Sequence, residues 1–296
     1  MPTRWVSGGA LDPKYPLFIP SKGRADSRLT HQALGRMGVP HRIIIEEQEQ
    51  EQYASVIDPD LLLVLPDHYK DDYDCFDDLG RTKSTGPGPA RNFAWDTAVA
   101  EGYERHWVMD DNIRQFSRYN RNVIYQILSG AGFRAMEDFC DRYTNVAMAG
   151  PNYEMFVPRK AKQPPFVKNT RIYSCNLILN SAPFRWRGRY NEDTDLSLRM
   201  LKAKWCTIQF NAFLQLKTTT QKVKGGNTAE FYATEGTYPK SEMQVRMHPD
   251  VSRIVHRFGR IHHHVDYGPF RNTALIRRGA ATATGKDEYG MRLREV

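Results

Sequence analysis

At 296 residues the chain is long enough for one large α/β domain or two modest ones, and its 40% hydrophobic content can fill a core around an enzyme-sized pocket. No stretch approaches the roughly 20 apolar residues of a membrane helix and the N-terminus has no signal-like apolar region, so a cytoplasmic protein without a membrane partner is expected. The four cysteines are far apart and form no CxxC pair, which argues against a zinc knuckle or disulfide framework and leaves reduced, mostly buried thiols. The net charge of +8 hides an asymmetry: residues 1–154 carry 17 basic and 23 acidic groups, net −6, whereas residues 155–296 carry 25 and 11, net +14. The second half suits a polyanion held by counterion release, or is simply a solvated basic surface.

In chain order, Leu17-Phe18-Ile19 is the first strand candidate, closed by Pro20 and followed by a polar turn, Ser21-Lys22-Gly23-Arg24, that opens a helix near Ser27 to Met37. Strand-like runs follow at His41 to Ile45, ending in Glu46 and Glu47, and at Leu61 to Leu65. Residues 67–83 read as an excursion rich in Asp, Tyr and Lys. Gly86-Pro87-Gly88-Pro89 then interrupts regular structure before a helix from Ala90 to Glu101. His106 to Met109 is the fourth strand, and a helix is expected from Ala135 to Arg142. Asn145 to Ala149 and Arg171 to Asn180 read as strands. Asp193 to Ala203 is an amphipathic helix leading into the strand Cys206 to Leu216. Such alternation predicts a mostly parallel central sheet flanked by helices. We expect residues 1–216 to form the core and residues 217–296 a mobile loop plus a basic segment packed on the same domain.

Val108 and Met109 run directly into Asp110-Asp111-Asn112, which places two carboxylates and an amide at the C-terminal end of a strand, the edge where open α/β sheets bind ligands. Hard cations such as Mg²⁺ and Mn²⁺ take such oxygen ligands; an ordinary polar turn has the same composition. Upstream, the Gly86–Pro89 loop brings Arg91 and Asn92 to a helix N-terminus that can face a diphosphate. Downstream, Asn191-Glu192-Asp193 opens another helix, where an acid can serve as general base or simply stabilise the helix end.

With these motifs in this order, the chain resembles the GT-A glycosyltransferases over roughly residues 15 to 216. More closely, IPSKGR at Ile19 to Arg24, GPGPARN at Gly86 to Asn92, WVMDDNI at Trp107 to Ile113 and NEDTDLSLR at Asn191 to Arg199 are similar to the phage TET-associated glycosyltransferases, which glycosylate 5-hydroxymethylcytosine in DNA. The resemblance implies a GT-A-like fold with a basic C-terminal extension and a UDP-sugar donor, UDP-glucose or UDP-N-acetylglucosamine. It implies Pro20, Ser21, Arg24 and Glu46 around the uridine, Arg91 near the diphosphate, and Asp110, Asp111 and Asn112 at a divalent metal, Mn²⁺ or Mg²⁺. Asp193, beside Glu192, would be the base. A late histidine often completes such a metal site, and His262 or His264 is the candidate, against a structural role for the histidine run.

Three further groups follow from the residues. Lys222 and Lys224, beside Gly225-Gly226, fit either a loop closing over phosphates or a plain polar loop. Arg185, Trp186, Arg187, Arg189 and Tyr190 precede the acids and can grip DNA phosphates and stack on a displaced base, with a core position as the alternative for Trp186. Arg271, Arg277 and Arg278 are further phosphate candidates. The reaction expected is inverting transfer of a hexose to the hydroxymethyl oxygen of DNA 5-hydroxymethylcytosine. Nucleotidyl transfer to a sugar phosphate and non-catalytic DNA binding are the competing readings.

Overall fold

The computed structural model describes residues 11–159, 163–218, 237–257 and 259–279, with short backbone stretches at 285–286 and 292–293. Its first half builds a parallel sheet from short apolar strands: β1 (Leu17–Pro20), β2 (Arg42–Ile45), β3 (Leu62–Val64) and β4 (Arg105–Met109). They lie in the order β3-β2-β1-β4, every neighbour parallel. Because β1, β2 and β4 are covered on both faces, they read as continuous runs rather than alternating ones. α1 (Leu29–Arg36), α2 (Gln50–Ala54), α3 (His68–Asp71) and α4 (Gly88–Ala100) connect them.

The sheet continues through β9, β7, β10, β5 and β6, with β8 pairing β10. In chain order these elements are β5 (Ile113–Asn120), β6 (Val123–Gln126), α5 (Ala131–Cys140), β7 (Val146–Tyr153), β8 (Phe166–Lys168), β9 (Cys175–Leu179), α6 (Glu192–Lys202) and β10 (Cys206–Lys217). β9 runs antiparallel between β4 and β7, which share one direction with β10. The result is the expected α/β architecture, a large and mostly parallel sheet flanked by helices, consistent with a GT-A-like fold.

β4 shows how far burial departs from apolarity. Arg105 and His106 are fully buried; Arg105 Nη1 donates to the Val146 carbonyl, and His106 Nδ1 meets Asn180 Oδ1 at 2.6 Å. Burial lowers the His106 pKa to about 4, so the imidazole is neutral in the core. All four cysteines are free and buried.

Several elements went unread in the sequence. β5 and β6 form a hairpin in which Ile113, Phe116, Ser117 and Tyr119 are buried, a spacing too irregular for period-two alternation. Beyond residue 236, α7 (Tyr238–Met247) leads to the antiparallel pair β11 (Ser252–Arg257) and β12 (Arg260–Val265). Val251, Val265, Tyr267 and Phe270 then pack on Leu198 and Leu201 of α6. Among the described residues no helix is long and apolar enough to cross a membrane.

Candidate active site

A cleft of about 400 Å³ opens at the C-terminal ends of β1, β2 and β4. Its walls include Pro20, Ser21 and Arg24 from the turn after β1, Glu46 after β2, and Asp110 to Asn112 after β4. Arg91 from α4 and Asn191 to Thr194 at the start of α6 close the opposite side. The four motifs picked from the sequence thus converge on one cavity.

The backbone of the acidic triplet is held by α1. Thr30 Oγ1 donates to the Asp110 carbonyl at 2.6 Å and accepts from Ile113 N at 2.9 Å, while Thr30 N donates to the Asp111 carbonyl. Asp110 N donates to the Ser174 carbonyl at 2.7 Å, which ties the triplet to the approach of β9.

Asp110 and Asp111 face different partners. Asp111 is paired with Arg24 and accepts from Ser21 Oγ at 2.9 Å, and Ser21 Oγ lies 2.7 Å from Tyr53 Oη. Burial raises the Asp111 pKa against the pull of Arg24 and Ser21. Asp110 is gripped at both oxygens: Oδ1 by Arg91 Nη2 at 2.7 Å and Oδ2 by Lys217 Nζ at 2.5 Å. Burial works to raise its pKa, but Lys217 and Arg91 prevail and hold the carboxyl well below the usual carboxylate range. Glu46, at the rim, pairs with Lys22 and Lys70, which offset burial and lower its pKa.

Arg91 is the hub. Its Nη1 reaches Asp193 Oδ1 at 2.5 Å and Glu192 Oε1 at 3.1 Å, and its guanidinium lies 4.6 Å over the Trp186 ring. Asn92 fixes that ring's backbone from both sides, donating to the Trp186 carbonyl and accepting from its N–H. The Glu192 and Asp193 pKa values are raised, primarily by burial, with Arg91 opposing. A buried carboxylate with a raised pKa is a stronger base than one in water, which suits proton abstraction.

The glycine-proline loop is built for close approach. Gly86 has φ +74°, and a Cβ there would stand 3.1 Å from the Arg189 carbonyl. Gly88, the first residue of α4, lies so close under Tyr73 that a Cβ would fall 1.9 Å from its Oη. Pro87 and Pro89 have no N–H, so the start of this helix has fewer backbone donors for a diphosphate than most, and Arg91 carries more of the charge.

The family model of the TET-associated glycosyltransferases matches residues 15–226, from just before β1 to beyond β10. The chain belongs to this family. The cleft is therefore that of a glycosyltransferase, an enzyme that takes a nucleotide-sugar donor and a separate acceptor. No curated protein matches the chain.

A divalent cation held by the triplet needs oxygens turned to the cleft and not otherwise engaged. In this glycosyltransferase both Asp110 oxygens are bound to cationic side chains, and Asp111 is engaged by Arg24 and Ser21. Asn112 is 2% exposed, with Nδ2 donating to the Thr218 carbonyl and Oδ1 buried with no hydrogen-bond partner among the described residues. A dication placed 4 Å from Lys217 or Arg91 meets about 4 kcal/mol of repulsion per pair of unit charges at an effective dielectric of about 20. His262 and His264 are on β12, outside the cleft lining. It is His263, on the opposite face of that strand, that feels Lys240 and Arg171 of the cleft wall, and burial lowers its pKa to about 4. Among the described residues no three His, Cys, Asp or Glu side chains gather to hold a metal. The residues present do not fit the expected metal site.

The segment before α6 is also placed differently from the reading as a DNA grip. Trp186 is 2% exposed beneath Arg91 and cannot stack on a displaced base. Arg189 is 1% exposed and spends its donors on Asp77 and the carbonyls of Gly80, Lys83 and Ser84, stapling the 77–84 excursion under the Gly86 loop. Arg187 pairs with buried Asp195. Arg185 lies over the Trp95 ring and pairs with Asp96, more than a third exposed, and Tyr190 lines the cleft. Arginines next to apolar residues look alike in sequence whether they face solvent or brace a loop. The Arg277 backbone forms an isolated antiparallel β-bridge with Tyr143, Arg278 pairs with Glu104, and Arg271 is exposed. Lys222 and Lys224 lie outside the described residues. The residues missed from sequence are Thr30, Lys217, Ser174, and the pair Tyr153 and Tyr173, whose rings are 4.4 Å apart in the cleft wall. Of these only Lys217 stands out in sequence, as a lysine directly after the strand ending at Leu216; its contact with Asp110 comes from the fold.

Proposed function

We propose that the enzyme transfers a hexose from UDP-glucose or UDP-N-acetylglucosamine to the hydroxymethyl oxygen of 5-hydroxymethylcytosine in DNA, with inversion. The observation that carries this reading is Asp193, held 2.5 Å from Arg91 in the same cleft as the donor-side residues Ser21, Arg24 and Asp110. Asp193 takes the proton of the hydroxymethyl group as its oxygen attacks the anomeric carbon. The bond from that carbon to the β-phosphate oxygen breaks, and its electron pair leaves with UDP. The new charge on the diphosphate meets Arg91. Glu192, beside Asp193, shares Arg91 and keeps the base oriented.

The acceptor side supports a nucleic acid. Tyr153 and Tyr173 offer aromatic faces to a base turned out of its stack, and Arg171 and Lys240 on the same wall offer charge to its phosphates. The +14 charge of residues 155–296 agrees with that polyanion. Such an acceptor places the protein with DNA in the cytoplasm, a bacterial one if a phage encodes it.

The test is to incubate the protein with DNA containing 5-hydroxymethylcytosine and a panel of UDP-sugars, digest to nucleosides and weigh them. A mass gain of one hexose or N-acetylhexosamine on 5-hydroxymethylcytosine is expected. Donor hydrolysis without that gain would refute the acceptor. An untouched donor would refute the UDP-sugar itself.

A further inference from the structure

Lys217 ends β10, just past a register shift against β5, and its side chain lines the cleft beside Asp110. Its Nζ donates to Asp110 Oδ2 and, at 2.9 Å, to Ser174 Oγ; an ammonium has three N–H bonds, which leaves one for a ligand among the described residues. Arg91 is bonded to the other oxygen of the same carboxylate. Two cations are thus set side by side on one anion, at the end of the sheet where the phosphates of a nucleotide belong. Lys217 and Arg91 are themselves largely buried, with side chains 17% and 2% exposed, so neither is a mobile surface charge that happens to fold inward. Where a dication would stand against Asp110, the chain already supplies positive charge of its own.

We propose that Lys217 and Arg91, bridged by Asp110, are the diphosphate seat of this enzyme, and that UDP binds there without a divalent cation. The inference rests on the UDP-sugar reading above. Asp110 then acts by positioning the two cations rather than as a metal ligand. Lys217 meets one phosphate oxygen with its remaining N–H, and Arg91 links the diphosphate to the acid that takes the acceptor's proton. The charge that grows on the leaving UDP as the glycosidic bond breaks falls on fixed side chains, which need no reorganisation during the reaction.

The experiment is calorimetric titration of the full chain with UDP, in buffer containing EDTA and in buffer containing Mn²⁺, with far-UV circular dichroism to verify folding. The wild type is expected to bind UDP in EDTA within about threefold of its affinity in Mn²⁺. Lys217→Met should weaken binding by about 10- to 100-fold in both buffers, as expected for loss of a charge-assisted hydrogen bond, and Lys217→Arg should recover most of it. Binding that requires Mn²⁺, or a folded Lys217→Met that binds UDP as well as the wild type, would overturn the seat and leave the donor reading standing. A folded wild type that binds UDP in neither buffer would overturn the donor reading and the seat with it.

Discussion

Two aspartates two residues apart on the first turn of α6 have opposite surroundings. Asp193 faces the cleft with Glu192 and Asp110 around a single guanidinium, that of Arg91. Asp195 points the other way, is fully buried, and is bonded to Arg187, to Arg199 at 2.6 Å and to His248 at 2.9 Å. In one cluster three acids face two cations, Arg91 and Lys217, and the Asp193 pKa is raised, primarily by burial. In the other, burial also pushes upward, yet His248, Arg199 and Arg187 override it and lower the Asp195 pKa. One carboxylate is kept ready to accept a proton. The other is held ionised well into the acid range, and fastens α6 to the segment after α7. A helical turn sends successive side chains to different faces, so the same stretch of sequence can do both.

The largest effect should come from breaking the first cluster at its base. Asp193→Asn is expected to lower kcat by about 10²- to 10⁴-fold while the affinity for UDP stays near wild type, read by product mass and by titration with UDP. Asp195→Asn tests the other side. Removing one partner from a buried charged network costs about 3–5 kcal/mol, so its midpoint in urea should fall sharply. Turnover per folded molecule should remain close to wild type. If Asp195→Asn lost activity without losing stability, the two aspartates would not divide the labour in this way.

Much of this was legible in the sequence for an identifiable reason. Buried parallel strands such as Leu17-Phe18-Ile19 and the residues before Asp110 are apolar runs closed by turn residues, so both the strands and the chemistry at their ends stand out. The families of motifs at Arg24, Arg91, Asp110 and Asp193 do meet in one cleft. What could not be read is direction. Arg187 and Arg189 are as polar in sequence as any surface arginine, but they brace Asp195 and the 77–84 excursion. The aspartates of the triplet looked like free ligands because the lysine that engages Asp110 is 107 positions further on. The histidine run gave no sign of which ring faces inward, because that depends on the pairing register of β11 and β12.

The smallest expected effect separates the two clusters by pH. Glu192 lies in the acid-rich cluster, and burial raises its pKa above the ordinary carboxylate value. A carboxyl whose pKa is raised on folding leaves stability at its maximum below the unfolded pKa, near 4.3, and loses it as pH climbs through the folded value. Asp195, with its pKa lowered, has the reverse effect: its contribution is present at neutral pH and is lost as acid protonates it. Glu192→Gln, neutral at every pH, should therefore match the wild type in acid and exceed its stability at pH 8 by on the order of 1 kcal/mol. Urea midpoints across that range measure it directly. A Glu192→Gln protein that is less stable than wild type at pH 8 would mean that Arg91 needs this carboxylate more than burial penalises it, and the cleft would then be a balanced ion network rather than one with acid to spare.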